Sequence, residues 1–308
     1  MRIYISALFL LFVPVISHSQ NALPVKYKDA VFAETILQKD LSYATAAHPG
    51  IKDKFYLFDL YEPKSDISVT RPLIIWLHGG GFKFGSKKAA GIKLWCETFA
   101  MRGYVCAGLN YPLGKISTLF KFSEFKNAAY QAVQTVEEAV AYFKKNAGLY
   151  RIDTNRIILA GNSAGGIIAL QAAYTSPSQL ASYAGLPGDL LSNQTNPAGI
   201  AAVVNFWGGL LRIDWLQNAK VPIFSAYGSG DKLVNPDHKG TDTAMFGSMA
   251  IHREAAIRRI PNQVKMYEGY SHELQKHFNP LFPVGKGTKE RWTDAGQAAA
   301  DFLYSQLF

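Results

Sequence analysis

The chain has 308 residues, of which 48% are hydrophobic and 18% are charged. This composition excludes an intrinsically disordered chain and indicates a soluble globular protein with a sizeable buried core. The formal net charge is +9. Lysines and arginines are nevertheless scattered, and no basic stripe with interleaved aromatic residues occurs, so we expect no nucleic-acid partner. Two cysteines, Cys96 and Cys106, exclude a disulfide-dense scaffold and a multi-cysteine metal site, and leave one disulfide or two buried thiols as alternatives.

The first residues have the features of a secretory signal peptide. Arg2 is followed by the apolar run IYISALFLLFVPVIS, and small residues stand at Ser17 and Ser19. This order predicts a signal peptide over 1–19 and therefore a secreted or periplasmic protein without a stable membrane anchor after cleavage. A permanent anchor is the weaker interpretation, because the run is short for a membrane span and Pro14 interrupts it.

Residues 20–308 contain no internal repeat, low-complexity tract or linker, and we interpret them as one domain. Short apolar runs alternate with helical patterns, which predicts an α/β fold with a mostly parallel sheet and helices on both faces. The predicted strands are KFYLFDLYE, PLIIWLHGG, YVCAGLNY, RIILAGNS, AAVVNFWG, PIFSAYGSGD and VKMYEGYSH. We predict a helix over Glu124–Asn146, with Ser123 as its N-cap and Gly148 just beyond its end, and a second helix over about Glu290–Leu307.

The fourth predicted strand runs into a Gly-x-Ser-x-Gly turn. In RIILAGNSAGGIIALQAAY, Gly161 and Gly165 remove side chains where a strand-turn-helix corner is crowded, and Ser163 stands at the apex. A plain surface turn is the alternative, but both the preceding strand and the following helix are where a nucleophile corner requires them. We therefore predict Ser163 as a nucleophile.

A serine hydroxyl needs a base that takes its proton. The histidines beyond the predicted signal peptide are His48, His78, His238, His252, His272 and His277. His272 is the preferred base, because it follows the strand VKMYEGYSH at the sheet edge where Ser163 emerges. His277, five residues further on, is the second choice.

The base in turn needs an acid that orients it. VPIFSAYGSGDKLV places Asp231 in the loop after the preceding strand, at the same edge of the sheet. Asp237 and Asp242 lie further along this loop and are weaker candidates. The order Ser163, Asp231, His272 is nucleophile, acid and base, which is the chain order of one particular fold.

A glycine run provides hydrogen-bond donors for the reaction that these residues imply. LIIWLHGGGF ends a buried strand at His78, and a ligand can approach the N–H groups of its glycines without meeting side chains. With the N–H of Ala164, these groups can stabilise the charge that develops on an attacked carbonyl oxygen. A phosphate-binding loop is the alternative, but neither a Gly-Lys-Ser/Thr ending nor Gly-x-Gly-x-x-Gly spacing is present.

Together, HGGGF, GNSAGG, GSGD and YSH resemble α/β-hydrolase carboxylesterases of the hormone-sensitive-lipase and acetyl-esterase group. The resemblance extends over nearly all of residues 20–308. It implies that these residues form one α/β-hydrolase catalytic domain. It implies an oxyanion hole made by Gly80, Gly81 and Ala164, a structural role for His78 in setting the loop, and no cofactor or metal.

The chain departs from this group at two places. Many relatives have an acidic residue where Asn162 stands and an Asp-Tyr-Arg-Leu stretch where this chain has NYPL, Asn110–Leu113. We expect the supporting hydrogen bonds around the nucleophile to differ accordingly. About 30 residues lie between the predicted signal peptide and the first predicted strand, and the Trp207–Val221 connection is short, so we expect little or no cap domain.

The combined expectation is a secreted serine carboxylic-ester hydrolase for short acyl groups. Acetyl or feruloyl esters on a polysaccharide are candidates by analogy. Aromatic and aliphatic residues of the loops are candidates for an apolar acyl site or simply for core: Phe82, Phe84, Trp207, Leu210 and Tyr270. The alternatives are a serine peptidase or amidase of the same fold, and a catalytically silent hydrolase-fold binding protein. The oligomeric state is open.

Overall fold

The computed structural model describes residues 23–44, 50–188, 193–196, 198–238 and 245–308. The predicted signal peptide lies outside these ranges, as do His48 and Asp242. Among the described residues, no helix is both long and apolar enough to cross a membrane.

Within these ranges, eight strands form one sheet in the order β1-β2-β4-β3-β5-β6-β7-β8. Only β2 runs against the others, because it pairs antiparallel with both β1 and β4, whereas the remaining pairs are parallel. The strands are β1 Thr35–Ser42, β2 Leu57–Pro63, β3 Arg71–Leu77, β4 Val105–Leu109, β5 Ile152–Asn162, β6 Ala202–Phe206, β7 Ile223–Gly228 and β8 Asn262–Tyr267. The predicted mostly parallel α/β sheet is confirmed. The edge strand β1 is absent from the predicted set.

The described helices lie on both faces of the sheet. They are α1 Ala90–Ala100, α2 Phe122–Lys145, α3 Ala147–Tyr150, α4 Ala164–Tyr174, α5 Pro177–Ala184, α6 Ser248–Ile257 and α7 Lys286–Leu307. One buried cluster joins α2, α4 and α6 to the sheet, and a second joins α1 and α7 to its other face. The site therefore rests on a sheet with both faces covered.

The predicted N-cap of the long helix is wrong. Helix α2 begins at Phe122, after an extended Lys121, so Ser123 lies inside its first turn and no side chain caps it. The preceding turn sets this start, because the N–H groups of Phe120 and Lys121 both donate to the carbonyl of Ser117. The short helix α3 follows immediately, so Gly148 lies within it and not beyond a helix end.

Both cysteines are free and fully buried. Cys96 lies in α1 and Cys106 in β4, and burial raises the pKa of both thiols well above the ordinary value. Of the two alternatives left by the sequence, the structure has buried thiols, which act as small apolar side chains of the core.

Candidate active site

Ser163 stands at a sharp corner between β5 and α4. Its backbone has φ 52° and ψ −119°, a conformation that L-residues rarely adopt and that turns the strand directly into the helix. Its N–H donates to the carbonyl of Phe206 at 2.9 Å, which ties the corner to the end of β6. A Cβ atom at Gly165 would lie 1.9 Å from the carbonyl oxygen of Leu77. Only glycine allows α4 to begin this close to β3.

The structure brings Ser163, His272 and Asp231 into one hydrogen-bonded chain. His272 Nε2 lies 2.9 Å from Ser163 Oγ, and His272 Nδ1 lies 2.7 Å from Asp231 Oδ2. All three side chains are almost completely buried. A carboxylate only accepts, so Nδ1 carries the proton and Nε2 is free to accept the proton of the serine hydroxyl.

Asp231 is fixed by its own loop. Its other carboxylate oxygen, Oδ1, accepts the N–H groups of Leu233 and Val234 at 2.9 and 3.0 Å. Both oxygens therefore have partners, and Oδ2 is aimed at the imidazole. The weaker candidate Asp237 instead bonds to Arg253 on the surface.

The segment after His272 is strained and is supported from α7. Glu273 and Leu274 both have φ 56°. The indole N–H of Trp292 donates to the carbonyl of Glu273 at 2.7 Å, and Arg291 Nε donates to the carbonyl of Leu274 at 2.8 Å. We call Arg291 and Trp292 the α7 clamp. No sequence motif indicated either residue.

The clamp also reaches the residues before the histidine. The guanidinium of Arg291 stacks 4.0 Å from the ring centroid of Tyr270. The base loop is thus held on both sides of His272 by one side chain. His277, the second choice as base, is exposed and lies outside this arrangement.

The glycine run after β3 forms a tight loop beside the nucleophile. Gly80 and Gly81 have φ 115° and 60°, and the N–H groups of Lys83 and Phe84 turn back to the carbonyl of Gly80. Among the described residues, no backbone carbonyl accepts the N–H groups of these two glycines. Ala164 is the first residue of α4, so its N–H has no acceptor in a preceding helical turn. The three predicted donors therefore have no backbone partner that would compete with a ligand.

His78 shapes this loop, as the resemblance implied for it. Its ring stacks on Tyr111 with centroids 4.2 Å apart, and its Nδ1 lies 2.7 Å from the carbonyl of Gly79. Burial lowers the pKa of His78 to about 4, although the bond to that carbonyl opposes the shift. The ring is therefore neutral at physiological pH and donates from Nδ1.

The two departures from the carboxylesterase pattern both make hydrogen bonds around the loop. Asn162 Oδ1 accepts the N–H of Gly79 at 3.1 Å and so joins the nucleophile corner to the glycine run. Asn110 Oδ1 accepts the N–H of Lys87 at 2.8 Å. The ammonium of Lys87 is buried against Asp59 and bonds to Asp40 at 2.7 Å. This buried ion pair, which sequence reasoning missed, anchors the far end of the loop.

The candidates for an apolar acyl site divide into two groups. Phe82, Trp207 and Leu210 are fully buried and belong to the core, which was the alternative interpretation of them. Phe84 is largely exposed beside the glycine run, and Tyr270 is half-buried against the guanidinium of Arg291. Within the described ranges, no group of three or more histidine, cysteine or acidic side chains is placed to hold a metal ion.

This sheet order, with serine after β5, aspartate after β7 and histidine after β8, defines an α/β-hydrolase. The sequence profile of the BD-FAE family matches residues 58–219, which is more than half of the chain. The chain belongs to the BD-FAE family of α/β-hydrolase esterases, and the predicted resemblance to esterases of this fold is confirmed. The matched range contains the glycine run and Ser163, whereas Asp231 and His272 lie beyond it.

Solved esterases have the same fold at low sequence identity. A thermophilic esterase from Thermogutta terrifontis is 18% identical with a TM-score of 0.58, over 91% of this chain and 95% of that one. Esterase B from Lactobacillus rhamnosis is 16% identical with a TM-score of 0.55, over 90% of each chain. A truncated carbohydrate esterase from gut microbiota is 15% identical with a TM-score of 0.56, over 91% of this chain and 99% of that one.

Curated relatives match a shorter part of the chain. Phenmedipham hydrolase from Pseudarthrobacter oxydans is 30% identical over 122 residues, which are 39% of this chain and 23% of that protein. Gut esterase 1 from Caenorhabditis briggsae is 28% identical over 109 residues, which are 35% of this chain and 19% of that protein. The match thus spans about a fifth of the length of these relatives.

Proposed function

We propose that the protein is a secreted serine carboxylesterase that hydrolyses short-chain acyl esters through an acyl-enzyme. The observation that carries this proposal is the hydrogen-bonded chain from Ser163 Oγ through His272 to Asp231, with lengths of 2.9 and 2.7 Å. Membership of an esterase family supports the ester as the bond that is cleaved.

The reaction begins when Ser163 Oγ attacks the carbonyl carbon of the ester. His272 Nε2 takes the hydroxyl proton and gives it to the alcohol oxygen as the carbon–oxygen bond breaks. Water then attacks the acyl-serine, His272 takes a proton from it, and that proton returns to Ser163 Oγ as the carboxylic acid leaves. Asp231 stays ionised and stabilises the imidazolium that forms in each half of the cycle.

The attacked oxygen becomes negatively charged in each tetrahedral intermediate. We assign its stabilisation to the N–H groups of Gly80, Gly81 and Ala164. Neutral His78 supports this role, because its Nδ1 donates to the carbonyl of Gly79 and so fixes the backbone directly before the two glycines. One well-placed donor contributes roughly 3 to 4 kcal/mol to the stability of the transition state.

The natural substrate in this proposal is an ester outside the cytoplasm. The predicted signal peptide supports an extracellular or periplasmic site of action. We include acetyl or feruloyl groups on a polysaccharide as the candidate esters, since a carbohydrate esterase is among the proteins with this fold. The oxyanion hole and the triad act on the acyl carbonyl. The preference for a particular alcohol half of the ester is therefore determined by surfaces outside them.

A substrate panel tests the proposal. It contains p-nitrophenyl esters from acetate to palmitate, acetylated xylan, a feruloylated oligosaccharide and an aminoacyl anilide. We expect hydrolysis of the shorter esters, with Ser163→Ala at background and still folded by circular dichroism. Cleavage of the anilide alone would make the protein a peptidase or amidase. No turnover of any compound, together with no labelling by a fluorophosphonate, would make it a silent hydrolase-fold protein.

A further inference from the structure

Three large apolar side chains are exposed in one short segment. The 3-10 turn Ile116–Leu119 and the residue after it expose Ile116 by 55%, Leu119 by 40% and Phe120 by 83%. Scattered exposed apolar residues are ordinary, but adjacent ones indicate a surface that a ligand or partner covers. No charged residue interrupts the segment from Ile116 to Phe120.

The segment lies directly against the proposed oxyanion hole. A Cβ atom at Gly81 would be 2.7 Å from Leu119 Cδ2, so the leucine side chain covers that glycine. Phe84 is 55% exposed and lies on the same loop, where its N–H donates to the carbonyl of Gly80 at 2.9 Å. The leucine side chain therefore flanks Gly81, and the backbone that carries exposed Phe84 lies against Gly80. We call Phe84, Leu119 and Phe120 the acyl platform.

The turn has a defined position because polar bonds hold it. The N–H groups of Phe120 and Lys121 donate to the carbonyl of Ser117 at 3.0 and 2.8 Å. The hydroxyl of Ser117 in turn donates to Glu124 in α2. Thr118, on the inner side of the turn, is buried. The apolar residues are thus held towards solvent by a fixed backbone.

We propose that the acyl platform binds the acyl group of the substrate and selects apolar acyl groups larger than acetyl. The inference rests on the proposed esterase function and narrows its substrate class. When the carbonyl oxygen occupies the hole at Gly80 and Gly81, the carbons of the acyl group leave from a point within reach of Leu119. An acetyl group is too short to cover the acyl platform, whereas a longer aliphatic or an aromatic acyl group covers these side chains and removes them from water. Each methylene that is fully covered raises kcat/KM by up to about fourfold.

Matched variants test the platform with soluble esters. We compare kcat/KM for p-nitrophenyl hexanoate with that for the acetate, because this ratio cancels any loss that both esters share. Leu119→Ser removes the apolar surface and is expected to lower the ratio about tenfold. Leu119→Met keeps the apolar surface and is expected to retain the wild-type ratio. Ile67→Ser is the control, since Ile67 is 94% exposed in the turn between β2 and β3.

The outcomes separate this inference from the function on which it rests. A hexanoate-to-acetate ratio that Leu119→Ser and Phe120→Ser leave at the wild-type value overturns the platform, while the esterase function stands. The platform is also overturned if Phe120→Ser weakens only turnover of emulsified tributyrin, because the patch is then a surface that docks on lipid. Failure of the wild type to hydrolyse any ester contradicts the proposed function itself.

Discussion

The nucleophile side and the base side of the site are held in place by different means. At the nucleophile corner, backbone meets backbone: the Ser163 N–H bonds to Phe206, and Gly165 packs on the carbonyl of Leu77. At the base loop, side chains of a distant helix hold the backbone, through the bonds of Arg291 and Trp292 to consecutive carbonyls. The nucleophile corner has no room for an added atom, whereas the base loop depends on the side-chain N–H groups of Arg291 and Trp292.

This difference indicates how each side fails. Atoms added at the nucleophile side are expected to displace the backbone N–H groups of the proposed oxyanion hole, which must all point at one oxygen atom. Removed atoms at the base side leave strained residues without support, so the imidazole loses orientation before the fold is lost. Variants on the two sides are therefore expected to differ in kind, and we take them from the largest effect to the smallest.

His272→Ala is expected to lower kcat by about 10⁴ to 10⁶, because it removes the proton acceptor of Ser163. His277→Ala is the matched control, since His277 is exposed and lies five residues away. We expect it to keep wild-type activity on p-nitrophenyl butyrate. An inactive His277→Ala beside an active His272→Ala would contradict the assignment of His272 as the base.

Gly80→Ala and Gly81→Ala are expected to lower kcat by about 10² to 10³ and to change KM little, because the donors act on the charged oxygen. The loss is expected to be larger at Gly80, where a Cβ would lie 2.2 Å from the carbonyl oxygen of Phe84. At Gly81 the added atom meets only the movable side chain of Leu119. Steady-state kinetics and the rate of fluorophosphonate labelling measure both. Wild-type kcat in both variants would show that the donors lie elsewhere.

Trp292→Phe and Arg291→Met remove the donors of the α7 clamp. We expect kcat to fall about tenfold to a hundredfold with little change in KM, because a misplaced imidazole slows proton transfer more than it weakens binding. Arg258→Met, which removes a guanidinium bonded to Glu254 on α6, is the control. If thermal stability falls in the clamp variants and kcat does not, the clamp supports only the fold.

The smallest expected effect is that of His78 on the stability of the fold at acidic pH. Its pKa is about 4 in the folded protein against an ordinary 6.5, so the unfolded chain binds more protons between these values. The contribution of neutral His78 to the free energy of unfolding is therefore fully present above pH 6.5. It falls by roughly 1 to 3 kcal/mol as the pH drops towards 4. His78→Asn keeps a donor for the carbonyl of Gly79 but does not titrate. Urea unfolding at several pH values should show a shallower decline in this variant, and an unchanged slope would contradict the assignment.

The strand-turn-helix geometry at Ser163 could be predicted from the sequence because its information is local. A strand, Gly-x-Ser-x-Gly and a helix are contiguous, and the crowding at Gly165 follows from that order alone. Asp231 and His272 could also be placed at the correct sheet edge, because parallel strands present their carboxyl ends together. Their roles as acid and base remain predictions, and the alanine variant of His272 tests that of the base.

The parts that were missed depend on contacts between distant segments. Arg291 and Trp292 look like ordinary members of an amphipathic helix, and nothing near them in the chain indicates the carbonyls that they bind. Lys87 is similar, since it lies in the turn before α1 and is buried against the carboxylate of Asp59, which is distant in the sequence on β2. Strand β1 was missed because it is an exposed edge paired only with β2, so it has no buried face to give an alternating pattern.

The position of the α7 clamp in the chain has a consequence for synthesis. Ser163 and Arg291 are separated by 128 positions, which a ribosome covers in about 6 to 26 seconds at 5–20 residues per second. The chain translated before Arg291 already contains the serine, the glycines and finally the histidine, but it lacks the two side chains that hold the segment after the histidine. A newly made molecule therefore gains the supported hydrogen-bonded chain from Ser163 through His272 to Asp231 only after α7 has been translated and has packed against the base loop.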